Sequence, residues 1–529
     1  MKFAIAQLNP TVGDIAGNAA KILQAYEQAK TQGADLVICP ELSLIGYPPE
    51  DLVLMPDFRR KAMDAVQHLA ARTKGGAGLI VGSVWEEGGK IYNAALLCEA
   101  GKIAHIQPKT QLPNYGIFDE KRLFTPGGGP KIASWRGIKL GLLVCEDIWN
   151  GGLAGELAKQ GAQLLITINA SPFEAGKLAQ RKEVAAAAVK GARVPLIYVN
   201  TVGGQDDIVF DGGSFMLDAD GKTIAQLPEF NEHLAILSDA SSVLHTPLST
   251  EETLWKAMCV GLSDYIRKNN FPGVVLGLSG GIDSALSAAL AVDALGADNV
   301  KGVLLPSPYT SKESTEDALE TAKLLGIETM NVPIAAGMEI FDQVLSPVFK
   351  EANWMDNVAI GGNVQARLRG MTLMAISNRF GWMLMSTGNK SELAVGYSTL
   401  YGDSCGGYNV LKDLYKTQVY ALAHWRNSKG EVIPQRSITK APSAELAPGQ
   451  KDEDQLPPYD LLDKILTHHI EERMSAQEII AQGYKQELVD RVVKMVRMSE
   501  YKRRQSCPGV KLSSMLFGKD RRYPLTNKF

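Results

Sequence analysis

The sequence predicts two α/β domains in tandem, and three observations carry that prediction. Short apolar strands alternate with helix-spaced segments from the first residues onward. The alternation breaks at 239–253, DASSVLHTPLSTEET, where Ser, Thr and Pro mark a linker. It then resumes around a glycine-rich loop at 277–284, GLSGGIDS, set between an apolar strand and a helix. A chain of 529 residues has room for three or four average domains or for two large ones. The boundaries read here are 1–240, a linker at 241–253, and 254–529.

Residues 2–8 read as a strand, 16–32 as a helix with Ile22, Leu23 and Tyr26 on one side, and 35–38 as a second strand. Strand 140–145, helix 153–160, strand 164–169, helix 176–191 and strand 196–200 follow, and FMLDADG at 215–221 turns into a late hairpin. Beyond the linker come helix 251–269, buried strand 273–278, the glycine-rich loop, helix 285–295, strand 300–305, helix 314–326 and strand 329–333. That is the pattern of a doubly wound parallel sheet. Two segments read as mobile loops: 397–409, rich in Gly and Ser, and 442–458, rich in Pro and acidic residues.

Composition removes several classes. With 55 Lys+Arg against 58 Asp+Glu the net charge is −3, which excludes a general nucleic-acid binder with its basic face. Hydrophobic residues at 45% and charged residues at 21% exclude a wholly disordered chain. No charge-free apolar run is long enough to cross a bilayer, and MKFAIAQLNP turns polar too soon for a signal peptide. The six cysteines, Cys39, Cys98, Cys145, Cys259, Cys405 and Cys507, form no CxxC pair. Common zinc and thioredoxin patterns are therefore excluded, and a reducing cytoplasm is expected.

In the second half, glycines after a buried strand let backbone N–H groups face outward, and the next helix adds its positive end, so 277–284 forms a phosphate site. No Lys follows the glycines, so this is not the GxxxxGK[ST] loop, and GxGxxG is also absent. Asp283 sets a carboxylate beside that site, which is repulsive unless a cation such as Mg²⁺ lies between them. Thr387 ends the buried strand WMLMST at the edge where doubly wound folds bind nucleotides, and Glu392 is placed to complete the cation site. Arg367 and Arg369 suit phosphates as bidentate partners.

The string SGGIDS after an apolar strand resembles the PP-loop ATP pyrophosphatases, of adenine nucleotide alpha hydrolase-like fold, which adenylate a substrate oxygen and release pyrophosphate. NVQARLR at 363–369, STGNKSE at 386–392, YGD at 401–403, KDLYKTQ at 412–418, KAPSAEL at 440–446, KRRQ at 502–505, then PGVKLSS and KDRRYPLTNKF follow in order. Together they resemble the NAD synthetase family over essentially all of 251–529. The resemblance implies ATP at Gly277, Leu278, Ser279, Gly280, Gly281, Ile282, Asp283, Ser284, Thr387, Lys416 and Ser443. It implies Mg²⁺ at Asp283 and Glu392, and deamido-NAD at Asn363, Arg367, Glu392, Asp403 and Lys511. Leu400 departs from the pattern, standing before YGD where many ammonia-dependent relatives carry Lys.

In the first half three polar residues end apolar segments: Glu41 after DLVICP, Lys109 in HIQPKTQLPNYG, and Cys145 in KLGLLVCEDIW. A thiol nucleophile needs a base for its proton and a cation for the oxyanion, and Cys, Glu and Lys can fill those roles. Singly they would be an inert buried thiol, a helix cap and a surface charge. Their settings, PELSLIGYPPEDL, KTQLPNYGIFDE and CEDIW, come in the order Glu, Lys, Cys and resemble the nitrilase superfamily over roughly 1–237. That resemblance implies an αββα sandwich cleaving carbon–nitrogen bonds. Cys145 is then the nucleophile, Glu41 the general base, Lys109 the oxyanion cation, and a thioester is opened by water. It also implies glutamine recognition by Tyr115, Ser171 and Lys177.

The whole chain thus resembles the glutamine-dependent NAD synthetase family. The resemblance implies ammonia made in the first domain, passed through a buried tunnel and consumed in the second. It further implies a cytoplasmic homodimer or larger homo-oligomer acting on glutamine, deamido-NAD and ATP, with no nucleic acid or membrane partner. Two other readings stay open. One is a stand-alone carbon–nitrogen amidase with a nucleotide-binding regulatory domain. The other is a different PP-loop amidotransferase such as a GMP synthetase, whose glutaminase is usually a Cys–His–Glu enzyme of another fold. Only His68, His105 and His233 precede the linker here, none in that setting.

Overall fold

Strand β1 (Phe3–Gln7), helix α1 (Ile15–Thr31) and strand β2 (Leu36–Ile38) form the expected βαβ unit, with β1 and β2 parallel. Helix α1 begins where Asp14 accepts the Gly17 N–H, and it buries Ile22, Ala25, Tyr26 and Ala29 along one side. Helix α2 (Pro56–Arg72) leads into an antiparallel meander of β3 (Gly78–Glu87), β4 (Lys90–Glu99) and β5 (Lys102–Pro108). Strand–helix alternation does not describe that stretch. Next come β6 (Ile132–Trp135), β7 (Ile138–Val144), α3 (Gly152–Lys159), β8 (Leu164–Asn169), α4 (Lys177–Ala192) and β9 (Leu196–Asn200). Strands β7, β8 and β9 are parallel neighbours. A short pair, β10 (Val202–Gln205) with β11 (Ile208–Asp211), precedes the expected hairpin of β12 (Phe215–Leu217) and β13 (Thr223–Gln226). Strand β14 (His233–Leu237) returns to pair with β1, and β15 (Val243–Leu244) adds to β13.

This computed structural model describes residues 1–149, 152–238, 243–350 and 354–527. Residues 239–242 of the expected linker lie outside the described residues, and Val243–Leu244 within it are strand. The chain divides into two units, Met1–Leu248 and Ser249–Phe529.

Among the described residues the first unit holds two large sheets, ordered β14-β1-β2-β3-β4-β5 and β15-β13-β12-β9-β8-β7-β6, beside the two-stranded β10-β11 sheet. Ile5, Leu36, Ile38, Ile80 and Leu97 of one pack on Leu142, Val144, Ile166, Ile168 and Val199 of the other. Because side chains alternate along a strand, Leu143, Leu165 and Tyr198 point the opposite way and are covered by Leu153, Leu157, Ala185 and Val189 of α3 and α4. Helices α1 and α2 cover the outer face of the first sheet through Tyr26, Val66 and Leu69. This is the expected αββα sandwich.

The second unit runs α5 (Thr250–Lys268), β16 (Val274–Gly277), α6 (Ile282–Leu295), β17 (Val300–Leu304), α7 (Lys312–Leu325) and β18 (Glu328–Asn331). Helices α8 (Ala335–Phe349) and α9 (Asn363–Phe380), β19 (Met383–Ser386), α10 (Lys390–Val395), β20 (Tyr408–Asn409) and α11 (Lys416–Asn427) follow. All five strands are parallel, ordered β18-β17-β16-β19-β20. The order reverses at β16, which opens a crevice at the carboxyl ends of β16 and β19. The segments 397–409 and 442–458 are largely irregular. Among the described residues no helix is long and apolar enough to cross a membrane.

Candidate active sites

In the first unit Glu41 lies in the turn after β2, Lys109 directly after β5 and Cys145 directly after β7. Gly82 of β3 lets the Glu41 turn approach closely, since a Cβ there would stand 2.4 Å from Leu42 N and from Pro40 O. Lys109 Nζ lies 2.8 Å from Glu41 Oε1 and 2.7 Å from Glu120 Oε1, with all three side chains buried. Glu41 Oε1 also accepts from Asn93 Nδ2 at 2.7 Å, and Oε2 accepts the Ala170 N–H at 2.7 Å. Tyr47 donates its hydroxyl to Glu120 Oε1 at 2.9 Å. Burial pushes the Glu120 carboxyl up to about 7, against the pull of Lys109.

Cys145 opens a single 3₁₀ turn, Cys145–Ile148, with φ 46°, a left-handed conformation that strains a non-glycine residue. Burial and the neighbouring Glu41 charge hold its thiol well above the ordinary range, with Lys109 pulling the other way. The resting thiol is therefore protonated and needs a base. Asp147 ties the nucleophile turn to the lysine loop. Its Oδ1 accepts from the N–H groups of Thr110 at 3.0 Å and Gln111 at 2.7 Å, and its Oδ2 from Val144 N–H at 3.0 Å. Tyr115 donates its hydroxyl to Glu146, next to Cys145, at 2.9 Å. The Lys177 ammonium lies 4.7 Å over the Trp149 ring. Ser171 follows the Ala170 that holds Glu41. The three expected glutamine contacts thus all adjoin neighbours of Cys145 or Glu41.

In the second unit the 277–284 loop joins β16 to α6. Gly280 has φ +80°, and a Cβ there would meet Ser314 O at 2.1 Å, so only glycine fits. Ser284 Oγ accepts the Ser279 N–H at 3.2 Å and closes the loop on itself. Lys416, the first residue of α11, pairs with Asp283 and lies 3.4 Å from Glu392 Oε1. Asn389 caps α10 and donates to Asp283 Oδ1 at 3.0 Å. Burial, with Asp283 and Asp452 nearby, pushes Glu392 up to about 8 despite Lys416. Among the described residues no group of three or more His, Cys, Asp or Glu is arranged to hold a metal alone. Two crowded carboxylates still fit Mg²⁺, which usually takes one or two carboxylates and completes its shell with water and substrate phosphates.

Thr387 follows β19, beside the glycine loop's own strand. Ser443 accepts the Glu445 N–H at 3.1 Å, and Glu445 in turn accepts from Ser311 Oγ at 2.9 Å and Ser314 Oγ at 2.7 Å. Its loop is therefore anchored at the residue that crowds Gly280. Asn363 accepts from Thr399 Oγ1 at 2.7 Å, Asp403 accepts the Thr399 N–H at 2.7 Å, and Arg367 donates to the Leu400 carbonyl at 3.2 Å. These three expected deamido-NAD residues meet at one loop, Asn363 and Arg367 reaching it from α9 and Asp403 lying within it. Lys511 is held elsewhere, buried and paired with Asp520 at 2.8 Å. Arg369 donates to the Leu305 carbonyl at 3.1 Å.

The chain matches the carbon-nitrogen hydrolase family over residues 2–240 and the NAD synthase family over residues 254–506. It is 45% identical to the glutamine-dependent NAD(+) synthetase of Synechocystis sp., over 99% of this chain and 98% of that one. The chain belongs to the glutamine-dependent NAD synthetase family. It is 42% identical to the Thermotoga maritima relative of the same name, over 100% and 99% of the two chains. Its structure resembles the glutamine-dependent NAD+ synthetase of Acinetobacter baumannii in complex with ADP, at TM-score 0.80 and 42% identity, over 99% and 98% of the chains. The Cytophaga hutchinsonii glutamine-dependent NAD(+) synthetase shares the fold at TM-score 0.86 and 23% identity.

Several site residues of this glutamine-dependent NAD synthetase family member are not singled out by the sequence. Glu120 closes the string KTQLPNYGIFDE and Asp147 lies inside CEDIW, so both stood in quoted motifs. Asn93 sits mid-strand in β4 with no local signal; only the pairing of β4 with β3 and β5 brings it to Glu41.

Proposed function

We propose that this chain makes NAD⁺ from deamido-NAD, ATP and glutamine, with 1–240 as the glutaminase and 254–529 as the synthetase. What carries the reading is one chain holding both a buried Glu41–Lys109 pair acting on Cys145 and a glycine loop with Asp283, Glu392 and Lys416. Glu41 takes the thiol proton as Cys145 attacks the glutamine amide carbon, and Lys109 stabilises the oxyanion. Glu41 passes that proton to the amide nitrogen, ammonia leaves, and water opens the thioester to glutamate and the free thiol. Tyr115, Ser171 and Lys177 hold the substrate.

In the second half a carboxylate oxygen of deamido-NAD attacks the α-phosphorus of ATP and pyrophosphate leaves; ammonia then displaces AMP. The loop from Gly277 to Ser284, with Thr387, Lys416 and Ser443, holds ATP, and Asn363, Arg367, Glu392, Asp403 and Lys511 hold deamido-NAD. Mg²⁺ bound by Asp283 and Glu392 would neutralise phosphate charge. Exposed Ile340, Val344 and Val348 form an apolar stripe on α8 that supports a homodimer or larger homo-oligomer. All six cysteines are free thiols, which supports a reducing cytoplasm.

The test is NAD⁺ formation with glutamine or with ammonium, in wild type and Cys145→Ala. The variant is expected to lose the glutamine reaction and keep the ammonium one. A wild type that forms no NAD⁺ from either source removes the synthetase reading and leaves the amidase with a nucleotide-binding domain.

A further inference from the structure

Arg181 of α4 is wholly buried, and all three of its nitrogens donate hydrogen bonds. Its NH1 donates to both oxygens of Asp211, at 2.7 and 2.8 Å. Its Nε donates to Ser171 Oγ at 3.0 Å, and its NH2 donates to the carbonyls of Ser171 at 3.0 Å and Pro172 at 2.8 Å. Asn200 holds the same segment from the other side, accepting the Ser171 N–H at 2.9 Å and donating to the Ser171 carbonyl at 3.2 Å. The segment so clamped begins at Ala170, whose N–H is the donor on Glu41 Oε2. Lys109 and Asn93 both bond Oε1, so Oε2 is the oxygen left to receive a proton, and the Ala170 N–H fixes which way its remaining lone pair points.

We propose that Arg181 is a positioning residue for the glutaminase reaction, acting through Ser171 and Ala170 to aim the free lone pair of Glu41. The inference rests on the reading of Glu41 as the base. Lysine cannot replace arginine here, since three donors on one atom cannot span Asp211, a hydroxyl and two carbonyls.

The experiment compares full-length wild type with Arg181→Lys, measuring glutamate release from glutamine in the presence of ATP and deamido-NAD. Rates are normalised to Cys145 titrated with iodoacetamide, and ammonium-driven NAD⁺ formation checks the second half. The expected result is a fall of about 10²-fold in kcat per titratable Cys145, the scale of a small misplacement of a catalytic group, with the ammonium reaction unchanged. A merely structural role would lower the titratable fraction and leave kcat per thiol at the wild-type value, which overturns the proposal. So does a rise in KM at unchanged kcat, which would confine Arg181 to holding Ser171 for substrate. If Arg181→Lys does not fold, Asp211→Asn carries the same test, because it keeps the volume and one acceptor; a wild-type kcat there overturns the proposal too. A wild type that releases no glutamate fails the glutaminase reading instead.

Discussion

In the first unit Lys109 stands between Glu41 and Glu120; in the second Lys416 stands between Asp283 and Glu392. Each is one ammonium facing two carboxylates. The surroundings differ. Glu41 and Glu120 are at most 3% exposed; Asn93 and the Ala170 N–H bond Glu41, Tyr47 bonds Glu120 Oε1, and Glu120 Oε2 is buried without a partner. Asp283 and Glu392 keep 19% and 17% of their side chains exposed beside the glycine loop, and Asp452 adds a third carboxylate to their field. In the first cluster the protein's own donors satisfy both oxygens of Glu41 but only one of Glu120. The second leaves its carboxylates open to solvent. On the proposed function the same residue types serve as a base in one place and a cation seat in the other, and solvent access separates the two.

Removing each lysine tests that contrast most strongly. Lys109→Met strands two buried carboxylates and is expected to cost about 3–5 kcal/mol, to abolish the glutamine reaction, and to be indifferent to Mg²⁺. Lys416→Met is expected to lose much of its stability only without Mg²⁺ and to recover when the ion is added. Calorimetry of both variants with and without Mg²⁺ decides; rescue of both, or of neither, breaks the comparison. Next in size, Asp283→Asn is expected to lower NAD⁺ formation by about 10²–10³-fold, equally with glutamine and with ammonium. Unequal losses would mean that Asp283 does more than serve the shared synthetase step. Gly280→Ala is smaller. Its new Cβ strains a left-handed position against the Ser314 carbonyl, expected to cost about 1–3 kcal/mol and to raise the KM for ATP with either nitrogen source.

Both halves of this contrast were legible in the sequence to different depths. Glu41, Lys109 and Cys145 each end an apolar strand, so a local pattern marks them. Asp283 stands inside a glycine loop whose chemistry demands a cation. The partners that decide the outcome were not legible. Asn93 reaches Glu41 only through the β3–β4–β5 meander, which strand–helix alternation cannot announce. Arg181 reads as one more helical charge until α4 folds over β8 and β11. Lys511 stands in a family string, and its pairing with Asp520, nine residues on, was likewise not legible. Motif residues are local, whereas the donors that tune them come from distant strands.

The remaining prediction concerns Glu120, the second carboxylate facing Lys109. Burial pushes its carboxyl from the ordinary 4.5 up to about 7, against the pull of Lys109. A raised acid contributes stability that is fully present below the ordinary value and lost as pH climbs through the folded value. The first unit is therefore expected to lose stability between about pH 4.5 and 7, by at most about 1.4 kcal/mol per pH unit, and Glu120→Gln is expected to flatten that slope. The chemistry shares the same proton. Below pH 7 Glu120 is neutral and Lys109 answers to Glu41 alone; above it both charges compete for the ammonium. The glutamine-driven rate should then show an inflection near pH 7 that Glu120→Gln removes, while the ammonium-driven profile of the variant overlays that of wild type. An inflection that survives the substitution would assign the proton to another group, with Asp147, raised by burial to about 6, the next to replace.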